Sequence, residues 1–191
     1  MSRGYRSLSF IMITQLENPK TDSYYKLKEI VLAGYFPWFW METTVPPILT
    51  ATPDRVQKSG SFFSHTFLSR PCENTGIRYP SSNSNFINTF SQFIEDLIKP
   101  DVNDIDIKCI YRMNANLTLP LKGSSTSPIH VDHEYPHKNM LIYLTDAGGE
   151  TVCNGESHDP KEDDIIIFDG EDHFHYYPQE KRRITLVMTY L

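Results

Sequence analysis

The apolar positions change their period partway along the chain. In the first hundred residues they recur at helical spacing or cluster between prolines. Leu27, Ile30 and Val31 follow a capping Asp22 or Ser23, and the pattern runs to Leu32 before Gly34 stops it, which predicts a helix. Residues 86–99 predict a second helix, with Phe86, Phe90, Phe93, Ile94 and Leu97 on one stripe and Pro100 at its end. Between them lie an aromatic patch, Tyr35 to Trp40, and Val45-Pro46-Pro47, which together read as an ordered loop. From about residue 105 the helical period disappears. Ile105 to Leu117 alternates, and short runs follow at Met140–Leu144, Glu150–Cys153, Asp164–Phe168, His173–Tyr177 and Arg183–Tyr190. Turn signals such as Asp146-Ala147-Gly148-Gly149 separate them. Short strands with no intervening helices predict an antiparallel sandwich or jelly roll. The expected organisation is one domain over 1–191, mostly β with flanking helices: residues 1–100 as helical and loop support, 101–191 as the jelly-roll core.

Composition narrows the class only a little. A length of 191 residues fits a single domain. The net charge of −6 offers no basic face for phosphate, which argues against nucleic acid as the main partner. Cys72, Cys109 and Cys153 are odd in number and widely spaced, so neither a disulfide framework nor a thiolate zinc site is expected. Cys109 and Cys153 read as buried small apolar residues, and a reducing, cytoplasmic setting fits them. No apolar run approaches the roughly 20 residues of a membrane span. Leu8 to Ile13 reads as an early strand and not as a signal peptide, since no small-residue cleavage site follows.

Six of the seven histidines lie between residues 130 and 175. His130-Val131-Asp132 is the pair to weigh first. On a strand, residues two apart share a face, so an imidazole and a carboxylate would point together into the sandwich. A third ligand would come from His173 or His175, across the hairpin near Phe168-Asp169-Gly170. Two histidines and one carboxylate on one face of a metal leave the opposite positions open, which suits non-haem Fe(II) with a co-substrate and O2. The tripeptide alone is a weak signal. Its order relative to Arg183 and Thr185, which share a face of the last strand, strengthens it, because an inward guanidinium is a natural clamp for a dicarboxylate.

Taken as a set, His130-Val131-Asp132, Tyr143-Leu144-Thr145-Asp146-Ala147-Gly148-Gly149-Glu150-Thr151, Phe168-Asp169-Gly170, a distal histidine, Pro178 and Arg183-Ile184-Thr185 resemble the Fe(II)/2-oxoglutarate-dependent dioxygenases. The likeness is to the prolyl-4-hydroxylase-like branch, and particularly to members encoded by tailed bacteriophages. Phe36-Pro37-Trp38-Phe39, Phe63-Ser64-His65-Thr66-Phe67 and Arg112-Met113-Asn114-Ala115-Asn116-Leu117 also look like that group. The resemblance covers about 35–191. It implies a cupin-like double-stranded β-helix. It also implies that His130, Asp132 and the distal histidine bind iron, that Arg183 pairs with the far carboxylate of 2-oxoglutarate, and that Thr185 and Tyr143 support it. Asn114 and Asn116 lie on a strand that often adds a further hydrogen bond. The spacing to Arg183 favours His173 as the distal ligand, with His175 as the alternative; Pro178, five residues after one and three after the other, does not separate them.

The activity implied is hydroxylation of an unactivated C–H bond using O2, with release of succinate and CO2. A peptidyl proline or another side chain is the implied substrate, and a small metabolite stays open. A phage-encoded member would work in the host cytoplasm. Two competing readings remain: a Zn(II) hydrolase on the same His/Asp/His set, and a non-enzymatic jelly-roll module in which these residues are unrelated surface positions. Of the other histidines, His133 and His137 read as solvated loop residues, His158 as part of a polar turn, and His65 as a core or cavity-wall residue. The Trp38/Trp40 patch reads equally as a substrate entrance or as a plug under the sheet.

Overall fold

In the computed structural model the elements run β1 (Ile13–Leu16), α1 (Asp22–Leu32), β2 (Phe39–Met41), β3 (Phe62–Ser69), β4 (Ser81–Ser82), α2 (Ile87–Leu97), β5 (Ile110–Thr118), β6 (Lys138–Tyr143), β7 (Thr151–Cys153), β8 (Glu156–His158), β9 (Ile165–Asp169), β10 (His173–His175) and β11 (Arg183–Tyr190). The structure describes residues 13–42, 61–71, 79–123 and 125–191. Val45-Pro46-Pro47, Cys72 and all but the last residue of the strand expected over Leu8–Ile13 lie outside them.

The strands form two antiparallel sheets. The larger has the order β1-β9-β6-β11-β5-β3-β2, with β4 beside β3; the smaller has the order β10-β7-β8. Isolated bridges Thr126↔Tyr176 and His130↔His173 carry the segment before Val131 along the free side of β10. This is a double-stranded β-helix, mostly β, with two helices on one face.

Alternation along β11 shows why it closes this way. Ile184, Leu186, Met188 and Tyr190 point outward into a core shared with Met113, Ala115, Met140, Ile142 and the helices. Arg183, Thr185, Val187 and Thr189 point inward, and all eight residues are buried. A strand covered on both faces needs no polar side, yet three of these four inward residues are polar, which marks a functional interior. The helices supply the outer cover. Tyr24, Leu27 and Val31 of α1 and Phe90, Phe93, Ile94 and Leu97 of α2 are buried on helical spacing. Tyr24 and Phe93 meet with ring centroids 5.1 Å apart. The N-cap of α1 is Thr21, one residue before the expected cap, and its side chain accepts from the Tyr24 amide.

Two expectations about elements need correcting. The first hundred residues are not only helix and loop, since β1 to β4 come from them and β3 pairs with β5 inside the larger sheet. The adjacent Phe62-Phe63 and a bulge between Thr66 and Leu68 hide the alternation of β3 in sequence. Alternation from Ile105 does not mean a strand there, because β5 begins at Ile110. Ile105 and Ile107 lie along the core without ladder pairing, while the Lys108 and Cys109 amides donate to the Leu191 carbonyl.

Candidate metal centre and co-substrate pocket

The backbone first brings His130 and His173 together. They form a bridge in which each amide donates to the other's carbonyl, at 3.1 and 3.0 Å. Their rings sit 4.5 Å apart, centroid to centroid. The chain then turns, leaving Val131 exposed and burying Asp132. Oδ2 of Asp132 lies 3.5 Å from Nε2 of His173. Donor atoms of His130, Asp132 and His173 all fall within 4.8 Å of one another, and among the described residues they are the one such cluster.

The surroundings of these three side chains suit a cation. Nδ1 of His130 lies 2.9 Å from the Pro128 carbonyl, and Nδ1 of His173 lies 2.9 Å from the Glu171 carbonyl. Each contact places the ring proton on Nδ1 and leaves the Nε2 lone pair free for a metal. The other oxygen of Asp132, Oδ1, accepts from Nη2 of Arg112 at 2.6 Å, and its backbone carbonyl accepts from Arg70 at 2.8 Å. Burial would raise the Asp132 pKa, but the Arg112 guanidinium, with His173, His130 and Arg70, overrides it and holds the carboxyl well below the ordinary carboxylate range. Burial pushes His173 down to about 4, against the pull of Asp132. An ionised Asp132 and a neutral His173 ring are in the protonation states a divalent cation requires of its ligands. The donor set therefore fits the metal that the sequence resemblance implies.

Beside the triad, a cavity of about 410 Å³ opens between the two sheets. Its wall includes the inward face of β5 (Arg112, Asn114, Asn116, Thr118) together with Thr185 and Arg183. Arg183 is 5% exposed and has no carboxylate partner among the described residues. Nη2 donates to Oγ1 of Thr151 at 3.0 Å, Cζ lies 5.2 Å from the centre of the Tyr143 ring, and Nε has no partner. The Tyr143 hydroxyl shares a 2.7 Å hydrogen bond with the same Thr151 oxygen. A buried guanidinium facing a cavity without a counter-anion is costly unless a ligand supplies the charge. Thr185 lies opposite both Tyr143 and Asn116 in the ladders. Asn114 donates to Asn116 at 2.6 Å and keeps its own Oδ1 unpartnered.

His130, Asp132, His173, His175, Arg183 and Thr185 line one cavity, whereas Tyr143 stands behind its wall against Thr151 and Arg183. His173 joins the donor cluster and His175 does not. Sequence reasoning passed over Arg112, Arg70 and Thr151 as acting residues. Arg112 and Thr151 lie within the family-like motifs, and the shared parity of Arg112 and Asn114 is the signal for the former; Arg70 carries none. Several smaller expectations are corrected. His133 and His137 are buried rather than solvated, because their rings pack with Tyr111 and Tyr135 under β6 and β11. His158 lies in β8 and pairs with Asp164 at 3.1 Å. Cys153 is buried, but Cys109 is exposed. Trp38 packs on Phe36 at the core, whereas Trp40 stays on the surface, edge-on to Phe63.

Comparison with solved structures agrees on the fold. A prolyl hydroxylase from Trichoplax adhaerens, solved with a hypoxia inducible factor oxygen degradation domain peptide, aligns over 94% of this chain and 83% of its own, with a TM-score of 0.57 and 14% identity. A 2OG-Fe(II) oxygenase family oxidoreductase from Burkholderia pseudomallei aligns over 68% of this chain and 66% of its own, with a TM-score of 0.52 and 18% identity. This chain thus spans just under two thirds of that protein. No protein-family model and no curated protein sequence matches the chain. At these identities the likeness shows a shared double-stranded β-helix, the scaffold of 2OG-Fe(II) oxygenases and prolyl hydroxylases. Among the described residues no helix is long and apolar enough to cross a membrane.

Proposed function

We propose that this protein is an Fe(II)/2-oxoglutarate-dependent oxygenase that hydroxylates an unactivated C–H bond. The observation that carries the reading is Arg183: a buried guanidinium with no anionic partner among the described residues, on the wall of the cavity that also holds a His/Asp/His cluster. A zinc hydrolase would have no use for that cation, and a binding module with surface residues would not bury Asp132, His173 and Arg183.

The roles follow from the contacts. His130 and His173 would present Nε2 to the metal, oriented through their Nδ1 hydrogen bonds. Asp132 would contribute a carboxylate oxygen, kept ionised and aimed by Arg112. Arg183 would receive the far carboxylate of 2-oxoglutarate, with Thr151 and Tyr143 holding the guanidinium and Thr185 beside them. When bound, iron and 2-oxoglutarate supply the oxidation by O2, releasing succinate and CO2. The chain supplies ligand orientation and a partly enclosed cavity. The substrate we favour is a peptidyl proline or another exposed side chain. The motif likeness to phage-encoded members supports a host-cytoplasmic enzyme.

The test is spectroscopic. Fe(II) and 2-oxoglutarate, added without oxygen, should give a metal-to-ligand charge-transfer band, and oxygen should then yield succinate. Asp132→Ala should abolish the band. Arg183→Leu should weaken 2-oxoglutarate binding at least about thirtyfold, the equivalent of losing a buried charge contact of about 2 kcal/mol. No band in the wild-type protein, or an undiminished one in Asp132→Ala, would sink the reading.

A further inference from the structure

We infer that His175, which takes no part in the donor cluster, is a co-substrate-binding residue that hydrogen-bonds 2-oxoglutarate between the metal position and Arg183. The inference rests on the function proposed above and adds a residue to its site.

His175 stands two residues after His173 on β10, so both rings point inward. Its register partner across β7 is Thr151, the residue whose hydroxyl holds both Arg183 and Tyr143. The ring lies on the wall of the same cavity as the triad and Arg183. Its Nε2 is buried and has no hydrogen-bond partner among the described residues, and the same is true of Nε of Arg183. The backbone is clamped on the side away from β7: the His175 amide donates to Oγ of Ser127 at 3.0 Å, and the Ser127 amide donates to the His175 carbonyl at 2.8 Å. That clamp fixes the base of the ring, and no donor atom of His175 joins those of His130, Asp132 and His173.

Two residues on one cavity wall, each with an unpartnered buried nitrogen, point to one ligand. An unmet buried polar group is costly, and a ligand that brings a separate oxygen to each nitrogen removes both costs. A dicarboxylate reaching from the triad to Arg183 passes His175 and offers oxygen acceptors along its length. An imidazole N–H there fixes the orientation of the molecule, while Arg183 supplies its charge partner. A residue that merely packs would serve as well if it were apolar, and this is the contrast to test.

The experiment uses Mn(II) in place of iron, so that binding is read without turnover. Mn(II) affinity and then 2-oxoglutarate affinity are measured by calorimetry on wild type, His175→Leu and His175→Gln. The expected result is unchanged Mn(II) binding in both variants. His175→Leu should bind 2-oxoglutarate about ten- to a hundredfold more weakly, the range expected for one buried hydrogen bond, with His175→Gln recovering most of the loss. Unchanged 2-oxoglutarate affinity in His175→Leu overturns the inference, as does a parallel fall in Mn(II) affinity. Should His175→Leu not fold, the decision falls to wild-type protein carrying ¹⁵N-labelled histidine and Zn(II). Adding 2-oxoglutarate should shift the His175 ring nitrogens, and unmoved resonances overturn the proposal. If wild-type protein with Mn(II) binds no 2-oxoglutarate at all, the function proposed above fails. If it binds but His175 is indifferent, only the present inference fails.

Discussion

Asp132 is held between two opposing effects. Its burial favours the neutral acid, and the Arg112 guanidinium, 2.6 Å away, favours the carboxylate and wins. The sequence made Asp132 and His130 legible because both belong to one tripeptide. It left Arg112 unmarked, because nothing in one dimension says which cation meets which carboxylate across 20 residues. His133 shows the converse error. Followed by Glu134 and Pro136, it reads as a loop residue, yet its ring stacks on Tyr135 and bonds Thr189. Burial and Arg112 push its pKa down from 6.5 to about 3. The consequence for stability has a definite sign. Above pH 6.5 the ring is neutral in both folded and unfolded chains. As pH falls through 6.5 the unfolded chain takes up a proton that the folded one refuses, so stability falls from there toward the folded pKa. Between pH 6.5 and 5 this residue alone should cost the metal-free protein about 2 kcal/mol. Urea unfolding across that range checks it: His133→Leu should flatten the pH dependence, and equal slopes would refute the assignment.

At the scale of elements, the turn from β6 to β7 aligns the pocket. Gly149 has φ +83°, and a Cβ there would lie 2.6 Å from the Tyr176 carbonyl and 3.3 Å from Cδ of Arg183. The β6–β7 turn thus packs directly on the chain that carries Arg183 into β11. Gly148 also has positive φ, but it faces open space. Gly149→Ala should therefore lower stability by about 1–3 kcal/mol and also weaken 2-oxoglutarate binding. Gly148→Ala should show the backbone penalty without the loss of binding. Thermal unfolding and calorimetry on the two variants separate these effects, and equal binding in both would show that the close approach to Arg183 does not matter. The glycine pair was legible as a turn. Which of the two glycines is crowded was not, since crowding depends on residues 27 and more positions away.

On the scale of the whole molecule, the site exists only when both sheets are in place. His130 comes from the segment beside β10, His173 from β10 itself, Arg183 from β11 and Arg112 from β5. A metal and a co-substrate that bind this arrangement should stabilise it by about 2.7 kcal/mol each at a hundredfold excess over Kd. Mn(II) with 2-oxoglutarate should accordingly raise the Tm by several degrees. A chelator should reverse the rise, and Asp132→Ala should show none. A wild-type protein indifferent to both ligands would contradict a preformed site. The sequence by itself determined the strands of the jelly roll from Met140 onward, apart from β8, and the two helical stripes. It also singled out His130, Asp132, Arg183 and Thr185 as candidates, because alternation and short motifs are local and survive in one dimension, while Tyr143 came from the family resemblance. Only the tertiary structure decided between His173 and His175 for the donor cluster. Both have the same strand parity, and the choice rests on the bridge that sets His173 against His130 and His175 nearer Ser127. It likewise placed Arg112 on Asp132 and left Arg183 without an anion among the described residues, since burial and partnership arise only when distant strands close around one cavity.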